Sequence, residues 1–244
     1  MKSAIITLAG SSSRFSKSVG YDCHKSVFEI ENKTILSEQL NLLKELKYDE
    51  IIIVTGYMSL DIQEYVKKNF FDLPVKFAYN IHFQDFGSCY SLILGIKNVS
   101  ENADSLVFIE GDLIFDKESF KLIDSVDDDV ITANPKLIEA KTAVAFYLNA
   151  NNELKYLYDT SHNELLISEP FKKIGNSGQV WKFKNVGKLK KVIEEYKIEE
   201  FKGTNLVPIN DYYKAENCEK LRIITFNEWF NCNTIDDLQS GLKK

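Results

Sequence analysis

The sequence lacks the features that mark several common classes of protein. Its four cysteines lie far apart without a Cys-x-x-Cys pair, which favours reduced thiols over a disulfide framework or a zinc site; they are Cys23, Cys89, Cys218 and Cys232. No apolar run reaches membrane-spanning length and the N-terminus shows no secretory signal, so we expect a cytoplasmic protein. The net charge of −6 provides no general surface for nucleic acid or an anionic membrane, and neither is expected as a partner.

The chain also lacks linkers, internal repeats and low-complexity tracts. Its 244 residues, 44% hydrophobic and 12% aromatic, are enough for a sizeable core in one large domain. We therefore expect a single domain over residues 1–244.

Apolar runs alternate with helical stretches through the first half of the chain. The expected strands span residues 4–8, 51–55, 75–79, 106–109 and 130–132. The expected helices span residues 34–46, 59–70, 89–96 and 117–126. This βαβ rhythm predicts an α/β fold with a doubly wound, mostly parallel sheet that is Rossmann-like. Ligand groups are expected at the carboxyl ends of its strands.

The second half of the chain has a different pattern. Strands are expected at residues 143–148, 154–157, 180–183 and 221–225, with one clear helix near residues 186–196. Consecutive strands without intervening helices indicate an inserted antiparallel lid.

A glycine- and serine-rich turn follows the first predicted strand directly. Gly10 lets the backbone come close to a ligand, and the successive N–H groups of Ser11, Ser12 and Ser13 would form a concave anion site. Arg14 adds a permanent charge on a planar group that fits phosphate oxygens. The sequence therefore predicts a phosphate-binding loop at residues 10–14.

A second cation, Lys25, returns to this turn just before the next apolar run. An ordinary strand-to-helix turn with two solvated cations is the structural alternative. The loop matches neither Gly-x-Gly-x-x-Gly nor Gly-x-x-x-x-Gly-Lys-Ser/Thr, which argues against a dinucleotide-binding fold and a P-loop NTPase.

The order of strand, Leu-Ala-Gly, Ser-Arg, basic residue and second strand resembles the nucleotidyltransferases that activate sugar phosphates and phosphocholine. Their signature reads Leu-Ala-x-Gly-x-Gly-Ser/Thr-Arg, followed by Pro-Lys. The resemblance implies that Leu8, Ala9 and the Gly-Ser turn bind the nucleotide, and that Arg14 and Lys25 are catalytic. It also implies a sheet of GT-A type and divides the domain into a nucleotide-binding half (1–135), an acceptor-binding lid (136–220) and a returning strand with a metal ligand (221–244).

Two residues depart from the signature. Ser12 replaces the second glycine and His24 replaces the proline. Both changes concern the geometry of the loop and leave its charge unaltered, so we expect His24 to be a loop residue.

The resemblance also implies a magnesium site. Gly111 and Asp112 follow the fourth predicted strand, where the family has a Gly-Asp pair whose carboxylate holds the metal, and a hard oxygen ligand suits Mg²⁺. The family's second ligand precedes a Thr or Ser near the C-terminus, which is Asn233 here. Gly111 would lie beside the nucleotide. The structural alternatives are that Asp112 and Asn233 cap the helices that follow them.

The segment before the helix at residue 89 resembles the family's base-recognition segment. There Gly87 would admit the base, and Ser88 and Gln84 would bond its edge. The adjoining Tyr-Ser-Leu triplet at residues 90–92 is most similar to phosphocholine cytidylyltransferases, which favours CTP.

The acceptor would bind in the second half of the chain. A basic residue before a Gly-containing strand occupies the place of the family's acceptor segment, so Lys172 or Lys173 would bind the acceptor phosphate. The segment 205–213, with Asp211 and Tyr212 as its candidate residues, could line the rest of the acceptor pocket, since an aromatic face beside a carboxylate favours a cationic or polar group.

The implied reaction is transfer of a nucleotidyl group from a nucleoside triphosphate to a small phosphorylated acceptor, with release of pyrophosphate. The expected acceptors are phosphocholine, a sugar 1-phosphate, a phosphonate or an amino-acid-derived phosphate, for decoration of a surface polysaccharide such as a capsule or of a lipid. A GT-A-type glycosyltransferase and a non-catalytic nucleotide-binding module are the alternatives, and a homodimer is left open.

Overall fold

The computed structural model describes residues 1–157, 164–214 and 221–243. The strands are β1 (Lys2–Leu8), β2 (Glu50–Thr55), β3 (Val75–Tyr79), β4 (Ser105–Glu110), β5 (Leu113–Phe115), β6 (Val130–Asn134), β7 (Ala145–Asn149), β8 (Leu154–Leu157), β9 (Phe171–Phe183), β10 (Arg222–Thr225) and β11 (Trp229–Asn231). The main sheet follows the order β10-β6-β9-β4-β1-β2-β3, extended by β7 and β8 beside β9; β5 and β11 form a separate pair.

Helices cover both faces of this sheet. They are α1 (Ser13–Val19), α2 (Ile35–Glu45), α3 (Ser59–Asn69), α4 (Ser88–Asn98), α5 (Lys117–Ser125), α6 (Val186–Glu194), α7 (Ile198–Phe201), α8 (Leu206–Lys214) and α9 (Ile235–Leu242), with a 3-10 helix at Lys25–Val27. Because side chains alternate along a strand, Ile5 of β1 packs into one core with α4, α6 and α8, whereas Ala4 and Ile6 pack into another with α2, α3 and α5. The predicted doubly wound α/β class is confirmed.

The strand order reverses beside β1. Parallel β2 lies on one side of β1 and parallel β4 on the other, so the loops after β1 and β4 diverge to opposite faces and leave a crevice between them. The predicted strand at residues 180–183 is the last third of the long strand β9, which pairs antiparallel with β4, β6 and β7. Strands β7, β8 and the first half of β9 form the antiparallel region expected from the sequence.

The described residues bear on two expectations from the sequence, the lack of a membrane-spanning segment and the reduced state of the cysteines. None of the helices there is long and apolar enough to cross a membrane. Cys23, Cys89 and Cys232 are free thiols, and burial raises the pKa of all three, while Cys218 lies outside the described residues.

A buried carboxylate lies at the amino-terminal ends of the parallel strands, opposite the crevice. Glu50, the first residue of β2, accepts hydrogen bonds from Ser3 (2.9 Å), Lys76 (2.6 Å) and Ser100 (2.5 Å). Burial alone would raise the pKa of Glu50, but these hydrogen bonds outweigh it and lower the pKa to about 2. The carboxylate therefore stabilises the folded state whenever it is ionised.

We expect Glu50→Gln to lower the free energy of unfolding by roughly 1–3 kcal/mol at pH 7, because one ion pair and the charge on several hydrogen bonds are lost. The folded pKa of Glu50 is depressed, so its contribution is present above about pH 4.5 and disappears as the pH falls toward 2. Urea unfolding at pH 7, 4 and 3 measures this, with Glu64→Gln on the exposed face of α3 as the control. A constant difference between parent and variant over that range would contradict the assignment.

Candidate active site

The crevice beside β1 forms a cleft of about 340 Å³. Its walls are the loop after β1, the segment before α4 and the end of β4, together with single residues from later in the chain. The lining residues are 7–15, 24, 25, 83, 86–88, 91, 110–112, 205 and 233. Most of the residues singled out in the first half of the sequence therefore meet in one place.

The Gly-Ser loop faces the cleft with its backbone donors open. The N–H groups of residues 10–13 make no hydrogen bond within the part of the chain that the structure describes, and the space beside Gly10 is empty of protein atoms. Ser12 has a φ of 53°, a left-handed conformation that favours glycine, and it stands where the family signature has glycine. Arg14, exposed in the first turn of α1, forms no ion pair with any described residue. The loop thus offers donors and one cation to an anion.

His24 fixes the segment that carries Lys25. Its ring is buried, and because the carbonyl of Leu8 can only accept, Nε2–H donates to it at 3.0 Å. Nδ1 then accepts from the backbone N–H of Ser26 at 3.3 Å. Burial lowers the pKa of His24 to about 4, so the ring is neutral at physiological pH. His24 ties the segment to the end of β1, which is a structural role.

Lys25 hydrogen-bonds to both residues that are expected to bind a metal, Asp112 and Asn233. Its Nζ donates to Oδ2 of Asp112 at 2.9 Å and to Oδ1 of Asn233 at 3.2 Å. The lysine and aspartate side chains are only 16% and 21% exposed, so this pair is shielded from solvent more than a surface ion pair. Residues 25, 112 and 233, far apart in sequence, converge on a single point in the cleft.

The strand pair β5–β11 brings Asn233 to Asp112. The backbone N–H of Cys232 donates to the carbonyl of Asp112 at 2.8 Å, and Asn233 Nδ2 donates to Oδ1 of Asn231 at 2.5 Å. The amide oxygen of Asn233 is thereby turned toward Lys25. The N-cap of α9 is the neighbouring Thr234, whose hydroxyl accepts from Asp237 N–H, so Asn233 itself is not the cap.

The donor set fits a hard cation. Oδ1 of Asp112 is buried and has no hydrogen-bond partner among the described residues, while Oδ2 of Asp112 and Oδ1 of Asn233 already share one cationic group. The described residues contain no cluster of three or more His, Cys, Asp or Glu side chains able to hold a metal. A metal here would take two protein oxygens and complete its shell with phosphate and water, as Mg²⁺ commonly does.

A polar link that the sequence did not reveal crosses the floor of the cleft. Asn205, just before α8, donates from Nδ2 to Oε1 of Glu110 at 2.7 Å, and its backbone N–H donates to Oγ of Ser88 at 2.9 Å. Burial, reinforced by the charge of Asp112, raises the pKa of Glu110 above its ordinary value. A charged residue at the end of a buried strand is a readable signal for Glu110. Asn205 begins the segment 205–213, which the sequence suggests for the acceptor pocket, but nothing in the sequence indicates its contact with Glu110.

Gly87 is required by the protein chain itself. A Cβ at this position would lie 2.0 Å from the carbonyl oxygen of Gly203, because the segment after α7 runs directly across the start of α4. The N–H of Gly87 donates to the carbonyl of Phe201 at 3.0 Å, and the N–H of Cys89 donates to that of Gly203 at 3.1 Å. The structure gives Gly87 a role in making room for residues 201–203; it also lines the cleft, so its expected place beside a base stays a prediction.

The segment before α4 presents different side chains from those expected. Gln84 is exposed and does not line the cleft, whereas Phe83 and Phe86 from the same turn do. The ring of Phe86 packs against His82 and Tyr90, with ring centroids 4.6 and 5.1 Å apart. Gln84 is thus not placed to read a base, and Ser88 is the polar side chain of this segment that reaches the cleft.

The four expected acceptor residues do not reach the cleft either. Lys172 and Lys173 are exposed on the outer half of β9, where Lys172 donates to Asn152 at 2.9 Å. Asp211 pairs with Lys214 on α8. Tyr212 is fully buried because α8 packs its aromatic side chains into the core, so the tyrosine cannot contact a ligand there.

Known proteins are similar to this chain in sequence or in fold. The choline-phosphate cytidylyltransferase of Haemophilus influenzae is 31% identical over 117 residues, which cover 48% of this chain and 46% of that protein. The chain therefore spans about half the length of the curated relatives it matches. Among solved structures, a candidate glucose-1-phosphate thymidylyltransferase from Bacillus anthracis has a TM-score of 0.71 at 18% identity, covering 99% of this chain and 94% of its own. The inositol-1-phosphate CTP transferase from T. maritima has a TM-score of 0.70 at 17% identity. That match covers 98% of this chain and 91% of the other.

The fold is that of the nucleotidyltransferases, and the resemblance to this class that the sequence predicted is confirmed. The chain belongs to the family DUF6564, described as a domain of unknown function, whose match extends over residues 21–244.

Proposed function

We propose that this protein transfers a nucleotidyl group, most favourably cytidylyl, from a nucleoside triphosphate to a small phosphorylated acceptor and releases pyrophosphate. The observation that carries the proposal is the convergence of Lys25, Asp112 and Asn233 in a cleft that is also lined by a loop of open N–H donors. The similarity to a choline-phosphate cytidylyltransferase supports the cytidylyl choice and a phosphorylated acceptor.

The proposed reaction needs positioned charge more than proton transfer. An acceptor phosphate oxygen forms a bond to the α-phosphorus, and the bond from that phosphorus to the β-phosphate bridging oxygen breaks. Because the acceptor phosphate is already ionised, no general base is required. Arg14 and the N–H groups of residues 10–13 would bind the pyrophosphate portion and stabilise the charge that grows on it.

Mg²⁺, held by Asp112 and Asn233, would neutralise phosphate charge and help to align the two anions. Lys25 lies at the same two oxygens, so its ammonium group is placed to shift to a phosphate oxygen when those ligands are engaged elsewhere. The residues expected for the acceptor do not line the cleft, and the structure leaves the lysine that would bind its phosphate unassigned.

The two alternatives lack support at the decisive positions. A GT-A-type glycosyltransferase would need Asp-x-Asp at the end of β4, but Asp112 is followed by β5, whose residues are Leu, Ile and Phe. A non-catalytic module would have no use for a shielded Lys25–Asp112 pair in an open cleft.

Pyrophosphate release tests the proposed function. Each of the four nucleoside triphosphates is incubated with Mg²⁺ and with phosphocholine, a sugar 1-phosphate, an aminoalkylphosphonate or an amino-acid-derived phosphate. We expect pyrophosphate to appear in step with one added acceptor. Release that is independent of every acceptor, or none at all, would reject the proposal.

CTP should be preferred over UTP, and Ser88→Ala should narrow that preference more than it lowers the overall rate. Cytosine and uracil differ at the 4-position, and a site that hydrogen-bonds the amino group leaves polar atoms unpaired against uracil. The ratio of kcat/KM for the two nucleotides measures this, with Ser125→Ala on α5 as the control. Equal values of kcat/KM in the unmodified protein, or a preference for a purine, would reject the cytidylyl choice and leave nucleotidyl transfer standing.

A further inference from the structure

Glu110 is a polar group of the cleft that the proposed reaction does not use. It lies at the carboxyl end of the central strand β4 and lines the cleft. Oε1 is engaged by Asn205, whereas Oε2 makes no hydrogen bond to any residue of the described ranges. One carboxyl oxygen is thus fixed by the protein and the other is available to a ligand.

The position of Glu110 relates it to one part of a nucleotide. On one side it is linked through Asn205 to Ser88, the residue proposed to read the base. On the other side it is two residues from Asp112, the residue proposed to hold the metal at the phosphates. Between the base and the phosphates a nucleotide carries its sugar. Glu110 therefore lies where the sugar of a nucleotide bound in this way would lie.

The chemistry of a carboxyl group suits a sugar and not a phosphate. A carboxyl oxygen hydrogen-bonds to hydroxyl groups, and carboxylates commonly bind the hydroxyls of a nucleotide ribose, whereas a carboxylate beside a phosphate is repelled. We propose that the carboxyl group of Glu110, oriented by Asn205, hydrogen-bonds to the ribose hydroxyls and selects ribonucleotides over deoxyribonucleotides. This inference rests on the proposed nucleotide binding and extends it to the sugar.

Asn205 acts as the positioning residue. Its segment is fastened to the start of α4 by backbone hydrogen bonds from Gly87 to Phe201 and from Cys89 to Gly203, and by its own N–H to Ser88. The amide Nδ2 can donate to Glu110 from this fixed backbone without a costly rearrangement. The second half of the chain thereby contributes to the nucleotide side of the cleft.

The test compares the binding of a ribonucleotide and its 2′-deoxy analogue by titration calorimetry in Mg²⁺ without acceptor. CTP and 2′-deoxy-CTP are the probes, unless another of the four ribonucleoside triphosphates binds more tightly, in which case that pair is used. In the unmodified protein we expect the ribonucleotide to bind about tenfold more tightly, or more, since one hydrogen bond to a partly buried carboxyl group is lost with the 2′-hydroxyl.

Variants of Glu110 and Asn205 show which side chains produce the preference for the ribonucleotide. Glu110→Leu keeps a similar volume without polar atoms and should bring the ratio of the two dissociation constants close to one. Glu110→Gln retains both an acceptor for Asn205 and a polar atom for the sugar, so it should keep most of the ratio. Asn205→Ala should lower the ratio by an intermediate amount. Glu64→Leu, on an exposed face of α3, is the matched control and should leave the ratio unchanged.

Each contrary result has a distinct meaning. Equal binding of the two nucleotides to the unmodified protein, or an unchanged ratio in a folded Glu110→Leu variant, overturns the sugar assignment while the proposed function stands. A raised acceptor KM in Glu110→Leu with an unchanged nucleotide ratio places Glu110 against the acceptor and also overturns it. If none of the four ribonucleoside triphosphates binds, the proposed function and this inference fall together.

Discussion

Arg14→Ala and Lys25→Ala are each expected to lower kcat/KM for nucleotidyl transfer about a hundredfold. The melting temperature should change by only a few degrees in Arg14→Ala and fall further in Lys25→Ala, which leaves the shielded carboxylate of Asp112 without its cation. Each variant removes one charge-assisted contact to the phosphates, and contacts that strengthen as charge develops cost on the order of 3 kcal/mol when lost. Arg14 is exposed and has no ionic partner among the described residues, so its removal leaves no buried group unsatisfied. Steady-state kinetics and thermal unfolding measure the two quantities.

Matched lysines separate a phosphate role from a general charge effect. Lys17 is one turn further along α1 than Arg14, and Lys33 follows Lys25 in an exposed turn. Lys17→Ala and Lys33→Ala should leave kcat/KM within about twofold, because neither side chain lines the cleft. Near-normal turnover in Arg14→Ala and Lys25→Ala would reject the assignment of the loop. A large fall in melting temperature with unchanged kcat would give both residues a structural role instead.

The part of the fold that was predictable from sequence is the part that buries continuous apolar runs. Strands β1, β2 and β4 are short, mostly buried hydrophobic segments bounded by turns, and a parallel sheet covered on both faces produces that pattern. The outer half of β9 was missed because it carries exposed lysines and a glycine, and only its pairing with β7 makes it a strand.

Helix α8 shows how tertiary packing overrides local signals. Its sequence contains Pro208, Asn210 and Asp211, which together read as a loop. Pro208 falls in the first turn, where the missing N–H costs nothing, and the apolar face is buried against the sheet. Because the helix was not recognised, Tyr212 was interpreted as a binding residue when it is part of the core.

The candidate site, like the fold, has residues that were predictable from sequence and one that was not. Gly10, Arg14, Lys25, Asp112 and Asn233 belong to local motifs at strand ends, and the topology of a doubly wound sheet brings such ends together. Asn205 has no such motif, since its place in the cleft depends on the chain crossing the start of α4. Contacts of that kind depend on packing between distant segments, which a single sequence does not encode in any readable spacing.

Asp112→Asn is expected to have the largest effect of any single substitution, a loss of about a thousandfold in kcat, with activity abolished by chelation and restored by Mg²⁺. Asp112 provides the only formal negative charge assigned to the metal, and an amide in its place weakens both the metal and the alignment of the phosphates that it holds. The variant should also need more Mg²⁺ for half-maximal activity. Asp61→Asn, exposed in the first turn of α3, is the control.

At Asn233 a charged metal ligand can be added, whereas Asp112→Asn removes one. Asn233→Ala removes a neutral carbonyl ligand and should cost less than Asp112→Asn, whereas Asn233→Asp adds a second carboxylate beside Lys25 and should lower the Mg²⁺ concentration needed. Titration of activity against Mg²⁺ in the three variants measures this order. If Asn233→Asp were inactive while Asp112→Asn remained active, both ligand assignments would be wrong. The Lys25–Asp112 ion pair and the hydrogen bond from Lys25 to Asn233 would then be structural contacts, with no metal site at these oxygens.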